Sequence, residues 1–194
     1  MRRLVLVASL GALALVVTGC ASTSSQFFTL SAVPGPAAPS SDLSVAVGPI
    51  TIPASVDRPQ IVVALSPNQV RLDEFNRWVS PLQNNIGRVV AENLVAMLGT
   101  PRVTLSPQTL SAVDYRAAIE VQRFESAPGE AATLDALWTV SRAKDGTSQT
   151  GRTTVREPAP DAGYDALAAA HSRALARLSQ DIADAVRALA RSAK

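Results

Sequence analysis

Apolar residues recur along this chain in two rhythms, one of period two and one near 3.6. Phe27-Phe28-Thr29-Leu30-Ser31-Ala32-Val33 predicts a first strand, and Pro34 to Ser41, with three prolines and a glycine, predicts a loop. Leu43, Val45 and Val47 then alternate with small residues. Ile50 and Ile52 continue the alternation in shifted phase, so Gly48-Pro49 between them predicts a bulge or bend. Ile61 to Leu65 is short and wholly apolar, as a buried strand is, and Val70-Arg71-Leu72 pairs with it as a hairpin across Ser66-Pro67-Asn68.

The helical rhythm appears twice. Leu82, Ile86, Val89, Val90, Leu94, Met97 and Leu98 recur at spacings of three and four. Ser80 predicts the N-cap, Pro81 the first helical position, and Gln83 the partner of a capping box. Gly99 and Pro101 stop this helix, and Arg102 to Leu105 predicts a short strand. Tyr164, Leu167, His171, Leu175, Leu178, Ile182, Val186 and Leu189 mark a long helix to about Ala190, spanning about 40 Å. Its length exceeds that of an ordinary strand, so its excess is expected to reach another subunit. Between the helices, Tyr115 to Glu125, Ala131 to Arg142 and Ser148 to Arg156 predict a meander, turned by Ser126-Ala127-Pro128-Gly129 and Asp145-Gly146. The last of these strands is polar and suits a sheet edge. The fold class is therefore α+β: a mostly antiparallel sheet with two amphipathic helices on one face, a two-layer sandwich.

The N-terminus follows neither rhythm. Met1-Arg2-Arg3 is positive, Leu4 to Val17 is unbroken apolar or small residues, and Val17-Thr18-Gly19-Cys20 follows. The apolar stretch is short for a membrane span and suits the hydrophobic region of a secretory signal. Its end resembles the bacterial lipobox, an aliphatic residue and two small ones before a cysteine. In such signals the peptide is cut before the cysteine, whose thiol carries a diacylglycerol. The alternatives are an ordinary secreted protein with a free thiol, or an uncleaved anchor. Ala21 stands where an aspartate would retain a Gram-negative lipoprotein at the inner membrane, so outer-membrane sorting is expected. The expected organisation is a signal peptide over 1–19, a lipidated Cys20 with a tether to residue 26, and one domain over 27–194.

Composition narrows the chemistry. Of 194 residues 47% are hydrophobic, too many for a disordered chain, and the size suits one ordinary domain. A single Cys excludes an internal disulfide, and a single His excludes a histidine-built metal site within one chain. Setting Arg2 and Arg3 aside with the leader leaves 16 basic against 16 acidic residues, so nucleic-acid binding has no electrostatic footprint. No nucleophile elbow, phosphate loop or zinc motif occurs, and no catalytic residue, metal or cofactor is expected. Ser141-Arg142-Ala143-Lys144 matches a Ser-x-x-Lys pattern, but it ends a strand, whereas that chemistry needs a helix N-terminus. His171 sits on an apolar stripe, as a packed histidine does. Asp181 and Asp184 lie near Arg177 and Arg187, as on a solvated helix face, and Asp73-Glu74 falls in an expected turn. Arg58, Arg71 and Arg77 with Phe75 and Trp78 form a basic and aromatic cluster along the chain. Arg58, Arg77 and Trp78 are the candidates for contact with a partner or lipid headgroups. The alternative is side-chain stems packed on the sheet rim with their heads in water.

Val47-Gly48-Pro49-Ile50, Asp57-Arg58-Pro59-Gln60-Ile61-Val62, Arg77-Trp78 before Pro81-Leu82, Glu92-Asn93-Leu94, Val121-Gln122-Arg123-Phe124, and Leu134-Asp135-Ala136 with Trp138 occur in that order. Together they resemble the ABC-transport auxiliary lipoproteins of the PqiC type. Phe27-Phe28-Thr29-Leu30 is similar to the segment that opens the family's domain, with phenylalanines where tyrosines are usual. The resemblance implies a periplasm-facing outer-membrane lipoprotein that serves a lipid transport system supporting envelope integrity. Its implied partner is an MCE-domain periplasmic tube protein, and the sheet edge or long helix is expected to bind that partner or copies of the chain in a ring. It implies no catalytic residues. The alternative is a periplasmic carrier that itself binds a phospholipid or other amphiphile.

Overall fold

The longest strand shows how the fold is built. The structure, a computed structural model, describes residues 24–33, 35–36, 38–106 and 112–192. Among these residues eight strands are present: β1 (Gln26–Phe28), β2 (Val45–Thr51), β3 (Gln60–Ser66), β4 (Gln69–Trp78), β5 (Val103–Leu105), β6 (Tyr115–Ala127), β7 (Ala131–Arg142) and β8 (Ser148–Pro158). Two helices, α1 (Leu82–Leu98) and α2 (Tyr164–Arg191), join them. In β6 the period-two alternation turns Tyr115, Ala117, Ile119 and Val121 inward. A register shift against β7 between Val121 and Arg123 inserts one residue, after which Phe124 and Ser126 resume the inner face.

β6 organises one sheet. Along one edge it pairs antiparallel with β7, which pairs antiparallel with β8. Along its other edge the first half takes β2 in parallel, while the second half meets β3 only at Val63 and Ser126. β5 lies parallel outside β2, β4 closes an antiparallel hairpin with β3, and β1 is parallel to β4. The α+β architecture and the meander are as the periodicity predicts, and β8 has β7 as its one strand partner. The sheet is mixed: its longest ladders are antiparallel, but β2 and β5 pair in parallel across the α1 connection. The bend at Gly48-Pro49 appears as a register shift between Val47 and Ile50.

Both helices contribute to one core with the inner face of the sheet. Every large residue of the α1 stripe is buried, and so are Leu167, His171, Leu175, Leu178, Ile182, Val186 and Leu189 of α2. Burial continues almost to the end of α2, so the expected excess is not there. Its 28 residues span about 42 Å, and the 13 residues of β6 cover nearly the same length.

Three local expectations are corrected. The capping box at α1 does not form. Pro81 is the N-cap, its carbonyl accepts the first helical hydrogen bond from the Asn85 amide, and the Gln83 amide group donates instead to the Ile50 carbonyl. Asp73-Glu74 lies inside β4 and not in a turn. The first strand ends at Phe28, because the residues after it leave the sheet for the helices. There Ser172 Oγ accepts the Ser31 amide at 3.1 Å and Asn93 Oδ1 accepts the Val33 amide at 2.9 Å. The Arg88 guanidinium donates to the Leu30 carbonyl, and the Leu30 side chain is fully buried.

Gly99 ends α1 as expected. At φ 64° it is left-handed, and a Cβ there would lie 2.1 Å from the Pro39 carbonyl oxygen. Its amide bonds the Ala96 carbonyl and the Thr100 amide bonds that of Val95, closing the helix.

Asn93→Ala removes the acceptor of the Val33 amide and the partner of Ser179. It should lower unfolding stability by about 1–3 kcal/mol in urea titration while the chain stays folded. Leu94→Asp, one position along, places an unpaired charge in the core and should abolish the cooperative thermal transition.

Candidate functional site

Helices cover the inner face of the sheet, so function has the outer face and the edges to use. Among the described residues nine large hydrophobic side chains are exposed. Six of them, Phe27, Leu65, Val70, Leu72, Phe75 and Val79, lie on β1, β3 or β4 or directly after β4. Strand alternation explains the grouping where β1 meets the end of β4. Phe28 and Trp78 are register partners that face inward, Phe28 against the Tyr164 ring at 5.7 Å and Trp78 against Phe124 at 6.3 Å. Their neighbours Phe27 and Arg77, also register partners, therefore face outward. Val79 and Phe75, two residues either side of Arg77, are exposed with them.

The expected cluster of Arg58, Arg77 and Trp78 is thus divided. Trp78 is 5% exposed and belongs to the core, so it is removed from the surface candidates. Arg77 is half-exposed, with its Nε donating to the Glu74 carbonyl at 2.8 Å. Arg58 is half-buried, and its Nε has no hydrogen-bond partner. It sits beside the same rim, since the following Pro59 carbonyl accepts the Trp78 amide. Phe27 and Val79 were not among the sequence candidates. The signal was the paired Phe27-Phe28, of which an edge strand can bury only one.

Asp73 ties this rim to α2. Burial pushes its carboxyl upward, but hydrogen bonds from the Tyr164 hydroxyl and the Asn76 and Phe75 amides outweigh it and hold the group below its ordinary 3.8. The Tyr164 hydroxyl is raised by burial and by the facing carboxylate.

Where β3 diverges from β6 a groove of about 600 Å³ opens. Ala64, Leu65 and Val70 form one wall, and Arg123, Glu125 and Arg156 contribute charge to the other. Its size is within the range of small-molecule sites. Two ion pairs, Arg123 with Glu125 and Arg156 with Glu130, leave it nearly neutral.

His171 is the other feature with chemical potential. Its Nε2 lies 2.9 Å from Ser126 Oγ, its ring stacks on Phe124 at 3.8 Å, and Trp78 meets it edge-on at 6.4 Å. A hydroxyl beside an imidazole resembles a nucleophile and its base. Here, however, His171 is fully buried, Ser126 is 2% exposed, and Nδ1 has no hydrogen-bond partner to orient the ring. Burial lowers His171 to about 3, so the imidazole stays neutral and serves as a polar piece of the core. Ser141 is the penultimate residue of β7, and Lys144 follows in the turn, outside any helix. Asp184 pairs with Arg187 on an exposed helix face, while Asp181 accepts a hydrogen bond from Thr153. Among the described residues no three His, Cys, Asp or Glu side chains gather as a metal ion would require. Cys20, Ala21 and the signal peptide lie outside the described residues.

A family model described as the ABC-type transport auxiliary lipoprotein component matches residues 28–183. Two crystal structures share the fold. One is of an uncharacterised protein, 18% identical, with a TM-score of 0.70, covering 84% of this chain and 99% of its own. The other is of a Xanthomonas campestris protein of family DUF330, 20% identical, with a TM-score of 0.71, covering 88% of this chain and all of its own. No curated protein matches.

The buried histidine has a measurable consequence. Between its ordinary 6.5 and about 3, the unfolded chain binds a proton that the folded one refuses. Stability should therefore fall as pH drops through this window, with a slope approaching about 1.4 kcal/mol per pH unit. Carboxylates lose their contribution lower down: Ser44 holds Asp114, and Arg152 holds Asp135, below the ordinary 3.8. Chemical denaturation between about pH 6.5 and 5 isolates the histidine, and His171→Phe should flatten the slope there. An unchanged slope would place the titration elsewhere.

Proposed function

The chain belongs to the family of ABC-type transport auxiliary lipoprotein components, and on that footing we propose that it is a docking module moored to the outer membrane and facing the periplasm. The acyl chains on Cys20 hold it there, since each buried methylene adds about 0.8 kcal/mol and several chains share one residue. The domain then engages an MCE-domain tube protein of a lipid transport system, with copies of itself arranged around the tube. The observation that carries this proposal is the family match from Phe28 to Ala183, standing directly behind the lipobox Val17–Cys20. One structural feature supports an adaptor. β8 offers eleven residues of strand edge with one strand neighbour, suited to pairing with a partner strand. Gentle solubilisation with crosslinking should recover an MCE-domain protein, and its consistent absence would overturn the docking role.

The groove beside β3 favours one second reading, an amphiphile carrier. Ala64, Leu65 and Val70 provide an apolar wall, and the ion pairs Arg123–Glu125 and Arg156–Glu130 a nearly neutral polar rim suited to a zwitterionic headgroup. Native mass spectrometry of the Cys20→Ser chain decides it: co-purifying phospholipid supports the carrier, and a bare protein rejects it.

Anchoring has its own tests. Cys20→Ala should leave far-ultraviolet circular dichroism unchanged, because the core draws on residues from Leu30 onward, and should move the protein from the membrane to the soluble fraction. Ala21→Asp should shift it toward the inner membrane in a density gradient.

A further inference from the structure

We propose that the outward rim of β1 and β4, carrying Phe27, Val79, Phe75 and Arg77, lies against the phospholipid surface in which the protein is anchored. The proposal rests on the lipidation of Cys20. Phe27 is 62% exposed, Val79 61% and Phe75 47%, an uncommon loss of hydrophobic free energy for side chains grouped on one rim. Arg77 stands between them, paired in register with Phe27, its guanidinium beside the half-exposed Glu74. Aromatic and aliphatic side chains around an arginine suit a headgroup boundary, where the apolar parts enter the acyl region and the cation meets phosphate.

Chain length selects this occupant over a partner protein. Gln26, the first residue of β1, is six residues beyond Cys20. Six residues reach at most about 20 Å. The start of β1, and with it the near end of the rim, is thus held within about that distance of Cys20 whatever path the tether takes. The attachment is also stiff. Immediately beyond β1, the Ser31 and Val33 amides and the Leu30 carbonyl are bonded to α2 and α1, so β1 cannot peel away from the domain. A short tether on a fixed strand limits how the domain can turn, and its exposed apolar rim is the part the tether draws to the bilayer.

The test uses the mature lipoprotein in vesicles of phosphatidylethanolamine and phosphatidylglycerol. With Cys20 acylated, Phe27→Cys, Val79→Cys and, as a control on β7, Leu137→Cys each carry one free thiol for an environment-sensitive fluorophore. Nitroxide-bearing lipids should quench the label at positions 27 and 79 and leave the label at 137 bright. A second variant, Phe27→Asp, should remove quenching at 79 while leaving the protein in the vesicle fraction. Quenching at all three positions alike, or at neither 27 nor 79, overturns the proposal. Blue-shifted emission at 27 and 79 that nitroxide lipids do not quench means that a second copy of the chain covers the rim, and it overturns the proposal equally. Intact mass on the same preparation separates the premise: an unacylated Cys20 removes the anchor and the proposal with it, whereas an acylated protein without quenching rejects the rim alone.

Discussion

The fold depends on one packing contact, the apolar stripe of α2 against the inner face of the β6–β8 meander. Leu167, Leu175, Leu178, Ile182 and Val186 are almost wholly withdrawn from water on one side of it, and Ile119, Val121, Leu134, Ala136 and Val140 on the other. Each large side chain of this kind contributes about 1.5–3 kcal/mol on burial. The strand beneath also determines where the rest attaches, since β2 and β3 share the free edge of β6, and α1 packs on α2 and β2. Without α2 the inner face would be bare and α1 would lose its neighbour.

Polar groups inside this contact fix its register. The extra residue at Gln122-Arg123 brings Phe124 and Ser126 under α2, where the first stacks on His171 and the second bonds it. Asn93 links α1 to Ser179 of α2 and to the Val33 amide. A buried amide or hydroxyl left without its partner costs more than the bond contributes when made, so such contacts specify one alignment of the helices more than they add stability. The same bonds hold the segment that leads back toward Cys20. Force on the proposed anchor would therefore pass directly into the helical core.

The two faces of the sheet divide the work. The inner face is closed by helices and provides stability. The outer face retains ion pairs on the meander, among them Asp135 with Arg152, and apolar side chains on the β3–β4 side. The buried imidazole and hydroxyl, which resemble a catalytic pair, belong to the first of these. What remains open to partners is surface: a rim near the tether, a groove beside β3 and the edge of β8. Such an inventory fits an auxiliary component that positions other molecules.

Local periodicity alone determined both helices, the buried stripe through His171 and the three-strand meander with its polar edge, because each is written in residues close together in sequence. Gly99 belongs with these, since its position after Leu98 already marks a helix end. Tertiary structure decided the rest. Alternation shows which residues share a face of a strand, but not which face a helix will cover. In β4 the register shift between Asp73 and Arg77 also breaks the alternation, so Trp78 went to the core while Val70, Leu72 and Phe75 stayed in water. The parallel pairing of β2 with β5 and β6 joins segments separated by a helix, which local pattern cannot register. Residues 29–33 look like a strand in sequence, yet Ser172 and Asn93, far along the chain, take their amides. That competition between a sheet edge and two helix side chains exists only after the helices have packed.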